Sequence, residues 1–174
     1  MGQYHRFSIL NNFNEPVLSL STRSTHMGAK LMEHSYLNSP YMALVEKLLT
    51  DEFYGYHLVW CGDYSDGWLY DFSCKLEHKS FDKLKPLLED IMHNGFQRKC
   101  FYIVNITKKQ YVDLNKCDDI HPLPLLCSTS NGRGGGDYFG TSMNLVGFWA
   151  NDKIGVTDEI PSTFEEIIPN FKED

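Results

Sequence analysis

Residues 6–20, RFSILNNFNEPVLSL, decide the fold class. Two apolar runs flank an Asn-rich segment that ends in Pro16. Asn side chains bond to nearby backbone and Pro fixes φ, so such a segment turns the chain. The stretch reads as a hairpin, with strands over 3–10 and 17–21. Residues 101–114, FYIVNITKKQYVDL, have the same shape around ITKK and predict a second hairpin. The likeness suggests two related halves, 1–78 and 98–170, within a single domain spanning 1–174. The alternative is that short hairpins all look alike.

Helices fill the spaces between these hairpins. In NSPYMALVEKLLTDEF (38–53) Ser39 is an N-cap and Pro40 suits the first helical position. Tyr41, Leu44, Val45, Leu48 and Leu49 then recur at helical spacing. A second helix is predicted over 80–94, stopped by Asn94-Gly95. Pro86 is a poor helix-interior residue, so the main helix is expected to begin near Lys85. His57–Cys61 and Trp68–Phe72 read as two strands around an Asp/Gly-rich turn, and Lys153–Thr157 as another strand. Ser162 and Glu165 stand in capping-box spacing and predict a short final helix. Hairpins with two main helices make an α+β fold with a mostly antiparallel sheet.

Composition narrows the function classes. Apolar residues make up 42% of the 174, enough for a core, and the aromatic share of 14% favours strands. The formal charge is -7, and no basic stripe is present, which argues against a phosphate-backbone binder. The five cysteines are odd in number and none form CxxC. With no apolar signal core and no membrane-spanning run, these features predict a cytoplasmic protein with reduced thiols.

The most specific chemical signal is SNGRGGGDY (130–138). No Gly-Lys pair exists in the chain, so the segment is not a P-loop. The third glycine of a dinucleotide fingerprint would fall on Asp137, so that reading fails too. A backbone nest remains. Asn131, Gly132, Arg133, Gly134, Gly135 and Gly136 would turn N–H groups toward one anion, with Arg133 adding charge. Asp137 and Trp149 would then select a sugar or base. The competing reading is a tight loop in which Asp137 caps a turn.

Other constellations are weaker. HMGAKLMEH (26–34) places Glu33 and His34 near His26 but lacks the HExxH spacing of a zinc protease. Asp63 and Asp66 share a turn beside Cys61. Carboxylates so placed can divide acid and base roles, but they also occur in turns for backbone reasons. Cys61 and Cys127 are thiol nucleophiles only if a histidine stands beside them. No metal site and no cofactor follow from spacing.

VNITKKQYVDL (104–114), NGRGGGDY (131–138) and VGFWAND (146–152) together resemble a family of small bacterial and phage proteins with no assigned activity. MGQYH (1–5), GAKLMEH (28–34) and WCGDYSD (60–66) fit the same pattern. Phe148 stands where that family implies a smaller residue. The resemblance implies weight for the motif residues and names no reaction.

Three functions follow as expectations. The first is binding of a small anionic, nucleotide-like ligand at the Gly-rich loop. The second is a hydrolase in which Glu33, His34, Asp63 and Asp137 converge in one cleft. The third is a protein-interaction module, such as an inhibitor, with an exposed aromatic patch.

Overall fold

The computed structural model describes every residue except Asp66. β1 (His5–Leu10) and β2 (Pro16–Leu20) form the predicted hairpin, with Phe7 opposite Leu20 and an irregularity at Ile9/Leu10. The Asn11 side chain accepts the N–H groups of Phe13 and Glu15 and so closes the turn. β3 (Tyr56–Gly62) pairs antiparallel on the other side of β1. β4 (Tyr102–Asn105) and β5 (Gln110–Asp113) form the second hairpin. β6 (Lys153–Thr157) pairs with β4 and, at Tyr56 and His57, with β3. β7 (Glu165–Glu166) lies parallel to β5.

The sheet order is β2-β1-β3-β6-β4-β5-β7; among the described residues the named strands pair antiparallel except β7, which runs parallel to β5. The fold is α+β with a mostly antiparallel sheet. The first six strands are ordered symmetrically about the β3–β6 pair. The segments between them differ: an 11-residue helix precedes β3, whereas the helix preceding β6 has 5 residues. The symmetry is therefore one of strand order.

The helices are α1 (Leu31–His34), α2 (Pro40–Thr50), α3 (Gly67–Lys75), α4 (Glu77–Asn94) and α5 (Pro122–Leu126). Ser39 caps α2 as expected, accepting the N–H of Met42. Phe7, Leu20, Trp60, Ile103 and Ile154 share one core with Tyr41, Leu44 and Leu49 of α2 and Leu84, Leu88 and Ile91 of α4. On the opposite face Leu69 and Tyr70 of α3 pack on Leu10, Val59 and Cys61. Among the described residues, no helix is long and apolar enough to cross a membrane.

Three sequence expectations are corrected. Trp68–Phe72 is helical, part of α3, and not a strand. β3 already has β1 on one side and β6 on the other, so no edge is free to receive a hairpin partner. The second helix starts at Glu77 and runs through Pro86 instead of starting near Lys85. Pro86 and Asp82 are both exposed, so the Asp82 carbonyl that loses its helical partner is open to water. The final helix does not form. Thr163 has φ 73, which a helix does not accept, and the segment adds to β5 through Glu165 N–H to Lys109 O and Ile167 N–H to Tyr111 O.

Pro86→Ala restores that helical bond at an exposed site. The expected gain is about 1–3 kcal/mol, read as a melting point several degrees higher by circular dichroism. An unchanged or lower melting point would contradict the uninterrupted α4.

Candidate functional site

Four separate segments meet at the N-terminal end of β1: residues 1–5, 28–34, 60–65 and 128–138. Gln3 N–H donates to Gly135 O, and Gly135 N–H donates to Met1 O. Met32 N–H donates to Gly136 O, and His5 N–H to Ala29 O. Asp63 N–H donates to Tyr4 O, and the Asp63 carboxylate accepts Tyr4 N–H at 3.0 Å. The segment holding Glu33 and His34 therefore lies beside the Gly-rich loop.

That loop does form a nest, and its anion is its own. Asp137 Oδ2 accepts the N–H groups of Gly132 (2.8 Å), Arg133 (2.9 Å) and Gly134 (3.1 Å). A fourth donor, Gln3 Nε2, reaches the same oxygen at 2.8 Å. Asn131 closes the base of the loop by pairing its side-chain amide with the backbone N–H and C=O of Tyr138. Two glycines are required by close approach: a Cβ at Gly134 would stand 2.6 Å from Gln3 N, and one at Gly136 would stand 2.5 Å from Lys30. Arg133 turns away and donates to Tyr64 O at 2.9 Å. Of the amides over 131–136 expected to wrap an outside anion, those of Gly132, Arg133 and Gly134 are committed to Asp137 and that of Gly135 to Met1, and the Arg133 side chain does not face them.

Trp149 is also placed differently from expectation. It is fully buried and donates its indole N–H to Gln110 at 3.0 Å, so its ring belongs to the core.

The acid–base candidates lie near one another, each in a structural role. Glu33 accepts Lys30 N–H at 3.0 Å and closes the first turn of α1. His34 is fully buried. Trp60 donates its indole N–H to His34 Nε2 at 2.9 Å, and an indole can only donate. His34 therefore carries its proton on Nδ1, which donates to Gly28 O at 3.0 Å. Burial lowers its pKa to about 4. Asp63 is held by Tyr4, and Asp66 lies outside the described residues. Burial pushes up both the Cys61 and Cys127 thiols, the reverse of an activated thiolate. Among the described residues, no three His, Cys, Asp or Glu side chains are grouped to hold a metal.

Sequence reasoning named Gln3, Tyr4 and His5 only as part of the MGQYH motif, without a role, and missed Arg6. His5 Nδ1 is 3.9 Å from Asp137 Oδ1, and its Nε2 is 3.2 Å from Thr129 O. Burial lowers its pKa, opposed by Thr129 and Asp137. Side chains alternate along the strand, so Gln3 and His5 face the Gly-rich loop while Tyr4 and Arg6 face the other way. Beside Tyr4 and Arg6 lies a cavity of about 500 Å³, which His5 also borders together with Arg23, Tyr70 and Glu77. Arg6 donates Nε to Ser19, Nη1 to Cys74 and Nη2 to Glu77. A guanidinium has five N–H bonds, so two remain uncommitted among the described residues. Other cavities, of about 320 Å³ between α2 and α4 and about 630 Å³ beside Asp118, Asp119 and Glu173, are not lined by these four segments.

In comparisons with known proteins, no family model matches the chain, and neither a curated protein nor a solved structure matches it.

His34 gives a signed pH dependence. Its folded pKa of about 4 lies below the ordinary 6.5, so the unfolded chain binds its proton first as pH falls. The stability from neutral His34 is complete above pH 6.5 and is lost on descending toward pH 4. The loss reaches about 3 kcal/mol at the lower limit. NMR of the ring should show a neutral imidazole with Nδ1–H down to about pH 4; a ring titrating near 6.5 would contradict this burial.

Proposed function

We propose that the protein binds a small anionic ligand of nucleotide size, in the cavity across β1 from the Gly-rich loop. The observation that carries this reading is Arg6, which lines the cavity with two N–H bonds uncommitted. Arg23, which is exposed, adds a second positive charge at the same cavity. Glu77 offsets one of the two charges, so the lining keeps a net positive charge in a chain of -7 overall. The volume of about 500 Å³ lies within the usual range for small-molecule sites. Tyr4 and Tyr70 supply aromatic faces for a flat group such as a base.

The site moves from the loop to the cavity for an electrostatic reason. An outside anion at the loop would have to displace Asp137, itself an anion already holding four donors. At the cavity, Arg6 keeps two N–H bonds uncommitted among the described residues. The hydrolase reading has less support, because Glu33, His34 and Asp63 each hold a backbone or core partner.

Calorimetry with inorganic pyrophosphate and adenosine monophosphate tests the reading. Both should bind the wild type, and Arg23→Ala should weaken pyrophosphate about five- to tenfold. Arg133→Ala should leave pyrophosphate affinity unchanged. Binding of neither compound, or an equal loss in Arg133→Ala and Arg23→Ala, would overturn it.

A further inference from the structure

We infer that the Gly-rich loop positions the cavity wall: through Asp137 and Gln3 it fixes where Tyr4 stands. This rests on the cavity reading above and extends it to residues that do not touch the ligand. Gln3 is a positioning residue in this scheme, and Tyr4 is the group it positions.

β1 begins at His5, so residues 1–4 lie outside its regular ladder. The loop holds Gln3, while Tyr4 is held by Asp63 and bridges to Lys30. The Gln3 side chain donates to Asp137 and, at 2.8 Å, to Ser130 O, and it accepts from Ser130 Oγ at 2.6 Å. Its backbone N–H reaches Gly135 O at 3.2 Å. Gln3 is fully buried, and every one of these partners lies between Ser130 and Asp137.

Tyr4 is the opposite kind of residue. It is 48% exposed and lines the cavity. Its backbone N–H and C=O are both clamped by Asp63. The position of its ring is therefore set by the path of the chain through residues 3–5. Neighbouring residues on an extended chain face opposite sides, so whatever fixes Gln3 inward fixes Tyr4 outward. A slip of one residue would exchange them, placing Gln3 in the cavity and Tyr4 against the loop. The loop favours the observed register because its nest accepts the Gln3 amide and Gly134 leaves room for Gln3, whose N and Cβ a Cβ at Gly134 would meet at 2.6 and 2.7 Å. This gives the Gly-rich loop a role in binding without any contact to the ligand.

Adenosine monophosphate carries a base that can stack on Tyr4; pyrophosphate does not. Calorimetry with both, on wild type, Gln3→Ala, Tyr4→Ala and the double variant, separates positioning from general damage. Gln3→Ala should weaken adenosine monophosphate about fivefold or more and leave pyrophosphate unchanged. In the Tyr4→Ala background, adding Gln3→Ala should cost nothing further. Ser130→Ala, which frees one end of the Gln3 amide, should give the same pattern at smaller size and replaces Gln3→Ala if that variant does not fold. Equal losses for both compounds, independent losses from Gln3 and Tyr4, or unchanged binding in the Gln3 and Ser130 variants would overturn the inference and leave the cavity reading standing. A wild type that binds pyrophosphate but not adenosine monophosphate would also overturn it. Binding of neither compound would overturn both.

Discussion

A carboxylate removed from water needs hydrogen-bond donors, and Asp137 finds four of them on one oxygen. Three are consecutive backbone amides of the Gly-rich loop and the fourth belongs to Gln3, 134 residues away in sequence. Hydrogen bonds to a charged acceptor are roughly twice as strong as neutral ones. This contact therefore shapes the loop and anchors the chain's first residues in one step. Everything at this end of the sheet follows from it: the loop edge that receives Gln3, the turn that Arg133 ties to Tyr64, and the seat of α1 on Gly136.

β1 carries the consequence across the sheet. One side of its N-terminal end holds Gln3 and His5 against Asp137, with His5 Nδ1 and Asp137 Oδ1 left without a hydrogen-bond partner among the described residues; the other holds Tyr4 and Arg6 at the cavity. This second side keeps Arg6, which is buried against Glu77 and still holds two free N–H bonds among the described residues. Rigid scaffold and open chemistry are thus back to back on a single strand, an arrangement suited to holding a recognition surface in fixed geometry.

Local patterns made much of the fold legible. Asn11 announces the first hairpin because its side chain makes the turn, and Ser39-Pro40 announces α2 because both residues suit a helix start. Trp68–Phe72 misleads because aromatic residues favour strands, whereas the decision rested on β3 having no free edge. β7 misleads for a similar reason: Ser162 and Glu165 have capping spacing, but Thr163 takes a backbone angle no helix allows. At the site, the glycines and Asp137 were legible as a nest and a turn-capping acid. That these were one object, with the acid inside the nest, depends on the loop's path and not on its composition. Gln3 carried weight only through the MGQYH motif, and no contact of its own with the distant loop could be read from it. His34 looked like chemistry, and its pairing with Trp60 could not be read from two residues 26 apart.

The central claim is that Asp137, and no outside anion, fills the nest. Amide hydrogen exchange at Gly132, Arg133 and Gly134 tests it directly, in the protein free of added anions and in Asp137→Asn. With Asp137 in place the three amides should exchange slowly, at rates approaching those of the sheet. Asp137→Asn should speed all three together while the amides of β4 and β6 stay protected. Fast exchange in the wild type that slows only when an anion is added would contradict the claim.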